Sequence, residues 1–279
     1  MKNKPLVSVL VHTKNSQRTI QKHLESIQNQ TYKNIEIIVV DNNSTDKTRE
    51  MAKKFTKSIY IFGPERSAQR NFGAKKAKGD YLLIPDSDMT LHKDVVKECV
   101  ELLEKFPKVK AVVIPEKSIG KGFWSKCKAL ERECYFGDET IEAARFFEKN
   151  AYWEMGGYDE QITGPEDWDL PLRMKEKFKI GRINSFISHD EGSLSLLGLM
   201  KKKYYYAQKI SYYLRKHPIA TTKEQILYLL RPAFYRNWKR LIKNPLLTCG
   251  MIIMLSAEQI AGLGGFVRGE IAKFSTRDI

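Results

Sequence analysis

The chain is poor in cysteine, and its four residues of that type, Cys99, Cys127, Cys134 and Cys249, show no C-x-x-C spacing. A disulfide framework is therefore set aside, and buried free thiols in a reducing compartment are expected. Internal repeats and low-complexity tracts are absent, which leaves an ordinary globular chain. The N-terminal stretch MKNKPLVSVLVHTKN has too short an apolar run for a secretory signal and no small-residue cleavage pattern. Acidic residues are outnumbered, with 33 Asp and Glu against 48 Lys and Arg, a net charge of +15. Residues 201–279 hold 15 Lys and Arg against 4 Asp and Glu, so most of the excess lies in one stretch. No recognisable nucleic-acid module accompanies that charge, so nucleic acid is not the expected partner. An anionic membrane surface is.

What is present is a 279-residue chain, 42% hydrophobic and 29% charged, long enough for one large domain plus an extension. Short β-rich runs alternate with helical patterns through the first half. Strands are predicted at 6–11, 35–40, 58–62, 81–84 and 111–114, and helices at 16–30, 46–54, 67–77 and 93–106. Apolar strands separated by such helices imply a mostly parallel sheet covered on both faces. Sheets of this type bind ligands at the carboxyl ends of their strands.

Chemistry-bearing residues fall at those ends. In GDYLLIPDSDMT the strand runs through Pro85 into Asp86 and Asp88. Two carboxylates so spaced can share a hard divalent cation, Mn2+ or Mg2+, or can simply cap the turn that follows. VVDNNSTD repeats the arrangement with Asp41, which suits a base or ribose, or equally a turn. HTKN closes the first strand at the same edge. Arg66 and Arg70, four apart, share one helix face beside Asn71. Guanidiniums near carboxylates make sense with a diphosphate between them. Lys75, Lys76 and Lys78 read as a solvated face.

Taken together, VSVLVHTKN, IEIIVVDNNSTDKT, RSAQRNFGAKKAKGDYLLIPDSDM, NAYWEMGGYDE and GPEDWDLPLRM resemble, in order and spacing, family 2 of the inverting glycosyltransferases, over roughly residues 5–190. The resemblance implies a GT-A (Rossmann-like) α/β fold, a mostly parallel mixed sheet flanked by helices, to which the residue pattern after 190 adds a C-terminal helical extension. It also implies a UDP- or GDP-sugar donor, a divalent metal, and inversion at the anomeric carbon. Carried over, it makes Thr13, Asn15 and Asp41 nucleoside contacts and turns Arg66 and Arg70 toward the donor. Asp86 and Asp88 become the metal and sugar-nucleotide motif, and His189 of ISHDEG approaches the metal or diphosphate. Asp167 of EDWDL becomes the general base, with Glu166 orienting the acceptor or helping to hold geometry. His12 stands where the family often has an aromatic residue or Glu, which leaves the base of the nucleotide open.

A hydroxyl is a poor nucleophile at neutral pH and needs a base, whereas a lipid phosphate does not. The Glu166–Asp167 pair thus favours a hydroxyl on a glycan or lipid-linked acceptor over a polyprenyl phosphate. RNWKRL does not match the Q-x-x-R-W motif of processive synthases, so a single transfer is expected. A nucleotidyltransferase is the alternative enzyme, although its glycine-rich N-terminal loop is missing. A non-catalytic membrane-associated sugar-binding protein is the alternative outside catalysis.

Near residue 190 the pattern changes, dividing a catalytic domain at 1–190 from a basic, aromatic extension at 191–279. Residues 246–267 are near spanning length, but Glu258 and several glycines interrupt them. An interfacial or re-entrant helix, packing within the protein or a dimer, and a true span all remain open. GLGGFVRG lacks the preceding strand and the spacing of a dinucleotide fingerprint. The location expected is the cytoplasm, peripheral at the inner face of the cell membrane.

Overall fold

The computed structural model describes residues 4–138, 142–218 and 231–275. Parts of the basic extension, at 219–230 and 276–279, lie outside the described residues. The chain divides into two compact units, one of residues 1–116, 142–160 and 166–190, the other of 117–141, 161–165 and 191–279.

The first unit is built on a seven-stranded sheet. In chain order its elements are β1 (Val7–Thr13), α1 (Ile20–Gln28), β2 (Ile35–Asp41), α2 (Thr48–Ala52), β3 (Ile59–Ile61), α3 (Arg66–Lys76), β4 (Tyr81–Leu83), β5 (Met89–Leu91), α4 (Val95–Lys105) and β6 (Val109–Val113). After β7 (Glu116–Lys121) and α5 (Phe123–Tyr135) come β8 (Ala144–Glu148), α6 (Lys149–Glu154), α7 (Glu166–Lys177), β9 (Lys179–Arg182) and β10 (Ile187–Ser193). The strand order is β3-β2-β1-β4-β8-β6-β9, parallel except for β8, which runs antiparallel between β4 and β6. The predicted strands and helices of the first half all form, within a few residues of the expected ends.

Every residue of β1 is buried, as a central strand covered on both faces requires. Alternation sorts its side chains. Val7, Val9 and Val11 join Ile20, Leu24, Ile27, Val96 and Cys99 on one face, whereas Leu10 joins Ile38, Val40, Ala74, Tyr152 and Met174 on the other. Each fully buried aliphatic side chain contributes about 1.5–3 kcal/mol. The chain leaves β1 toward β2 on one side, and β4 lies on the other, so the strand order reverses between β1 and β4. A doubly wound sheet opens a crevice there, beyond the carboxyl ends of the strands. Thr13, Asp41 and Asp86 all stand at that edge, with Asp86 bridging to His12 as the sheet ends.

The second unit is helical. Besides α5 it holds α8 (Leu196–Lys209), α9 (Ser211–Lys216), two short helices, Pro232–Arg236 and Trp238–Lys243, and a long one, Pro245–Ser275. Its core joins Cys127 and Leu130 of α5 with Leu199, Met251, Met254 and Leu255. All four cysteines are free, but only Cys99, Cys127 and Cys134 are buried. Cys249 is exposed, against the expectation for it, because it lies on the outer side of the long helix.

Candidate active site

The turns after β1 and β2 are laced together. Asp41 is wholly buried, and its Oδ1 accepts from the Thr13 hydroxyl at 2.8 Å and the Ser44 hydroxyl at 2.5 Å. Its Oδ2 accepts from the Ser44 backbone N–H at 2.8 Å. Asn15, in the left-handed region at φ 50°, accepts from the Thr45 N–H at 2.9 Å through its side-chain oxygen. Asp41 thus shapes the wall of the crevice by binding the turn, while Asn15 stands exposed on it.

Asp86 is the hub of a buried charge cluster. Its Oδ1 lies 2.9 Å from His12 Nε2 and 2.9 Å from Arg70 Nη2, and its Oδ2 lies 3.3 Å from Arg145 Nη2. Burial opposes ionisation, yet Arg145, the His12 hydrogen bond and Arg70 hold the carboxyl well below its ordinary value. Burial and then the Arg70 charge push His12 below the usual imidazole value, so the neutral ring donates from Nε2. Arg70 is 1% exposed and bridges two carboxylates, with Nη1 on Asp167 Oδ1 at 2.7 Å. Its guanidinium lies over the Tyr158 ring, 4.8 Å from the centroid. Arg145 joins Glu116 Oε1 at 2.5 Å and lies 3.9 Å from Asp167 Oδ2. Arg145 Nη1 is buried and has no hydrogen-bond partner among the described residues.

The Tyr158 platform is itself fixed by the GGYDE stretch. Asn71 donates to the Tyr158 carbonyl at 2.8 Å and accepts from its N–H at 3.0 Å and from the Tyr152 hydroxyl at 2.6 Å. Gly157 has φ 70°, and a Cβ there would come within 2.6 Å of the Asn71 side-chain oxygen. Asp169, fully buried, holds Arg173 at 2.6 Å, and Arg173 in turn donates to the Gly157 carbonyl at 2.7 Å.

Glu166, Asp167 and Asp169 all lie in the first turn of α7, where the helix dipole favours negative charge. Pro171 has no N–H to offer the Asp167 carbonyl one turn back. Glu166 is 2% exposed and pairs with Arg66 Nη2 at 2.7 Å. Burial and the neighbouring Asp167 charge raise its proton affinity, with Arg66 and Arg70 opposing. The Asp167 side chain is 23% exposed, with Oδ1 held by Arg70 at 2.7 Å and Oδ2 only distantly faced by Arg145, at 3.9 Å.

Asp88 differs from Asp86. Its Oδ2 lies 3.2 Å from His189 Nε2, whereas its Oδ1 is buried without a hydrogen-bond partner among the described residues. Burial opposes its ionisation, but the His189 hydrogen bond and charge outweigh it and lower its proton affinity. Pairing of β10 with β5 sets His189 across from Met89, next in sequence to Asp88. An oxygen and a nitrogen 3.2 Å apart fit adjacent positions on a small octahedral cation, about 3 Å apart when bonds are about 2.1 Å. Both oxygens of Asp86 face arginine or histidine donors. Among the described residues no three His, Cys, Asp or Glu side chains form a ready-made metal site. Two protein ligands with the rest from water and phosphate is the usual arrangement for Mg2+.

The structure therefore brings His12, Arg66, Arg70, Asp86, Glu166 and Asp167 into one cluster, with Asp88 and His189 beside it, joined to it through His189 Nδ1, 3.6 Å from Glu116. Thr13, Asn15 and Asp41 line the neighbouring turns. Arg145 and Glu116 were not singled out in the sequence. Their only signal was position, next to strands whose pairing the sequence did not reveal.

A doubly wound, mostly parallel sheet with acidic strand tips and buried arginines is the frame of the GT-A fold. The solved mannosyltransferase PcManGT from Pyrobaculum calidifontis, in complex with GDP-Man and Mn2+, is similar at TM-score 0.60 and 17% identity, over 94% of this chain and 88% of that one. S. aureus TarS 1–349 in complex with UDP-GlcNAc is similar at TM-score 0.51 and 16% identity, over 97% and 92%. The chain belongs to glycosyl transferase family 2, whose profile matches residues 8–160. An uncharacterized glycosyltransferase of Rickettsia typhi is 31% identical over 208 residues, 67% of this chain and 62% of that protein. The beta-monoglucosyldiacylglycerol synthase of a Nostoc species is 27% identical over 233 residues, 73% and 48%. The chain spans less than two thirds of the length of such relatives.

Proposed function

We propose that the chain transfers a hexose from a UDP- or GDP-sugar to a hydroxyl of a glycan or lipid-linked acceptor, inverting the anomeric carbon. One observation carries this reading: a buried, unpartnered carboxylate oxygen on Asp88, beside His189, at the edge of the sheet where a nucleotide belongs. Residues 1–190 hold the catalytic machinery, and 191–279 attach it peripherally to the inner face of the membrane. Membrane attachment is supported by the C-terminal helix, long and apolar enough in composition to meet lipid.

Thr13, Asn15 and the turn tied by Asp41 face the nucleoside. Asp88 and His189 hold Mn2+ or Mg2+, which, when bound, neutralises charge on the departing nucleoside diphosphate. Asp86 acts differently, as the anchor that aims Arg70 and Arg145. Both guanidiniums sit where the donor's phosphates would add negative charge, and Arg66 lies beside them. Asp167 accepts the hydroxyl proton on Oδ2, its less tightly held oxygen, as the acceptor attacks, Oδ1 being fixed by Arg70. Glu166, buried behind it, holds the helix start and orients the acceptor. Fixing donor and base on rigid strand tips supplies proximity.

A thermal-shift panel of UDP- and GDP-sugars with and without Mn2+ tests the donor, since ligand binding raises the melting temperature. One donor class should stabilise the protein only when the metal is present. No shift with any donor, or release of pyrophosphate in place of nucleoside diphosphate, would refute the reading.

A further inference from the structure

The outer face of the second unit is apolar along its whole length. From the helix Trp238–Lys243 into Pro245–Ser275, the side chains of Ile242, Leu246, Ile253, Ile260, Leu263, Val267 and Ile271 are each between 48% and 73% exposed. Their spacing, mostly three, four or seven residues, puts those on the long helix on one stripe. Tyr235 and Trp238, 74% and 53% exposed, stand at its start. Lys239, Lys243 and Arg268 are exposed along the same run, as are Arg236 and Arg240, which pair with Asp138 and Glu133, and from Arg231 to Ala272 no acidic side chain is exposed. Resting on the peripheral membrane attachment proposed above, we propose that this face docks on an anionic lipid surface with the long helix lying in the membrane plane.

Two alternatives to that occupant fare worse on the same observations. A second copy of the chain, seated face to face, would bring Lys239, Lys243 and Arg268 to the seam with no exposed carboxylate from the same stretch, Arg231 to Ala272, to meet them. A transmembrane course fails on the opposite side of the helix. A Cβ on Gly265 would come within 2.2 Å of the Tyr204 carbonyl oxygen, and one on Gly269 within 2.3 Å of that of Gln208. The long helix is therefore pressed against α8, which exposes Lys201, Lys202 and Lys209. Glu258, on the buried side, lies 3.6 Å from Lys128, which also holds Glu131. Crossing the bilayer would carry these charges into hydrocarbon, whereas lying flat buries only the aliphatic stripe and leaves the Lys and Arg heads among lipid phosphates. Trp238 and Tyr235 suit the headgroup boundary.

Flotation of the full chain with phosphatidylcholine vesicles, with and without phosphatidylglycerol, tests this. An environment-sensitive dye on Cys249, the exposed thiol on the same helix, reports contact directly. Binding should be at least about tenfold tighter to anionic vesicles, weaken with salt, and shift the dye to the blue. Ile253→Ser with Ile260→Ser and Leu263→Ser should lower it at least tenfold with an unchanged melting temperature. Lys239→Gln with Lys243→Gln, which touches no packed side, should do so on anionic vesicles only. Equal binding to both vesicle types, or variants that bind like the parent, would overturn the proposal. So would a concentration-dependent dimer abolished by the serine variant, or membrane-bound protein that resists alkaline extraction.

Discussion

Both units bury charge, and they close their ion clusters differently. In the helical unit Glu131 receives Lys128 at 2.8 Å and Arg231 at 3.2 Å, and Glu191 receives Arg132 at 3.0 Å. Burial opposes ionisation of Glu131, but Lys128 and then Arg231 outweigh it and hold its proton affinity low. Each of those carboxylates meets a cation supplied by the same unit, and the cluster fastens helices. At the strand tips, Arg70 and Arg145 answer Asp86, Asp167 and Glu116, and Asp88 is left with an oxygen that no described group meets. The lesson is that buried charge alone marks architecture as readily as function. An open acidic oxygen at a sheet edge is what separates the two.

That contrast can be broken at several points, taken here in order of expected loss of stability. Arg70→Ala leaves Asp86 and Asp167 facing each other without the bridging guanidinium. It should lower unfolding free energy by about 3–5 kcal/mol in urea titration and abolish transfer. Arg70→Lys should recover little, since an ammonium cannot reach both carboxylates in a fixed plane.

Acid should act through His23. Its Nδ1 donates to the Met89 carbonyl, its Nε2 is buried without a partner among the described residues, and burial drops its pKa to about 4. The unfolded chain takes up this proton near pH 6.5 while the folded one refuses it until about pH 4. Stability should thus be full above pH 6.5 and fall between those values, by up to about 3 kcal/mol. His23→Gln should flatten that part of the pH profile in chemical denaturation, whatever it costs at neutral pH.

Glu131→Gln removes the carboxylate that Lys128 and Arg231 share, and should cost about 2–3 kcal/mol. Turnover per folded molecule should not change. A drop in kcat would erase the distinction between the two clusters. Asp88→Asn should move stability least, by under about 1 kcal/mol, since no arginine or lysine loses a partner and the amide keeps an oxygen for His189. Its effect belongs to metal-dependent donor binding, read by calorimetry.

The sheet was largely legible because β1, β2, β4 and β6 are apolar runs bounded by turn residues, and their helices repeat at helical spacing. β8 was not. Its sequence, ARFFE, carries Ala, Arg and Glu as a helix would, and the antiparallel slot between β4 and β6 follows from tertiary pairing alone. Arg145 was hidden for the same reason. The acidic pair at 86 and 88 was legible in the sequence, but not the different contacts of its two members. Which of two carboxylates meets arginine depends on α3 and β8 crossing the strand tip, contacts between residues far apart in sequence. Asp41 reads in sequence as a ligand or equally as a turn residue, and the hydroxyls of Thr13 and Ser44 that tie it into the turn lie beyond what the sequence shows. The C-terminal helix left three readings open, because composition does not say which side is packed.

The most direct test is calorimetric titration of Mn2+ into the protein, with nucleoside diphosphate present, for the parent, Asp86→Asn and Asp88→Asn. If Asp88 is the ligand and Asp86 the anchor, Asp88→Asn abolishes the metal-dependent heat while Asp86→Asn retains it and loses stability instead. Retained metal binding in Asp88→Asn would contradict the account.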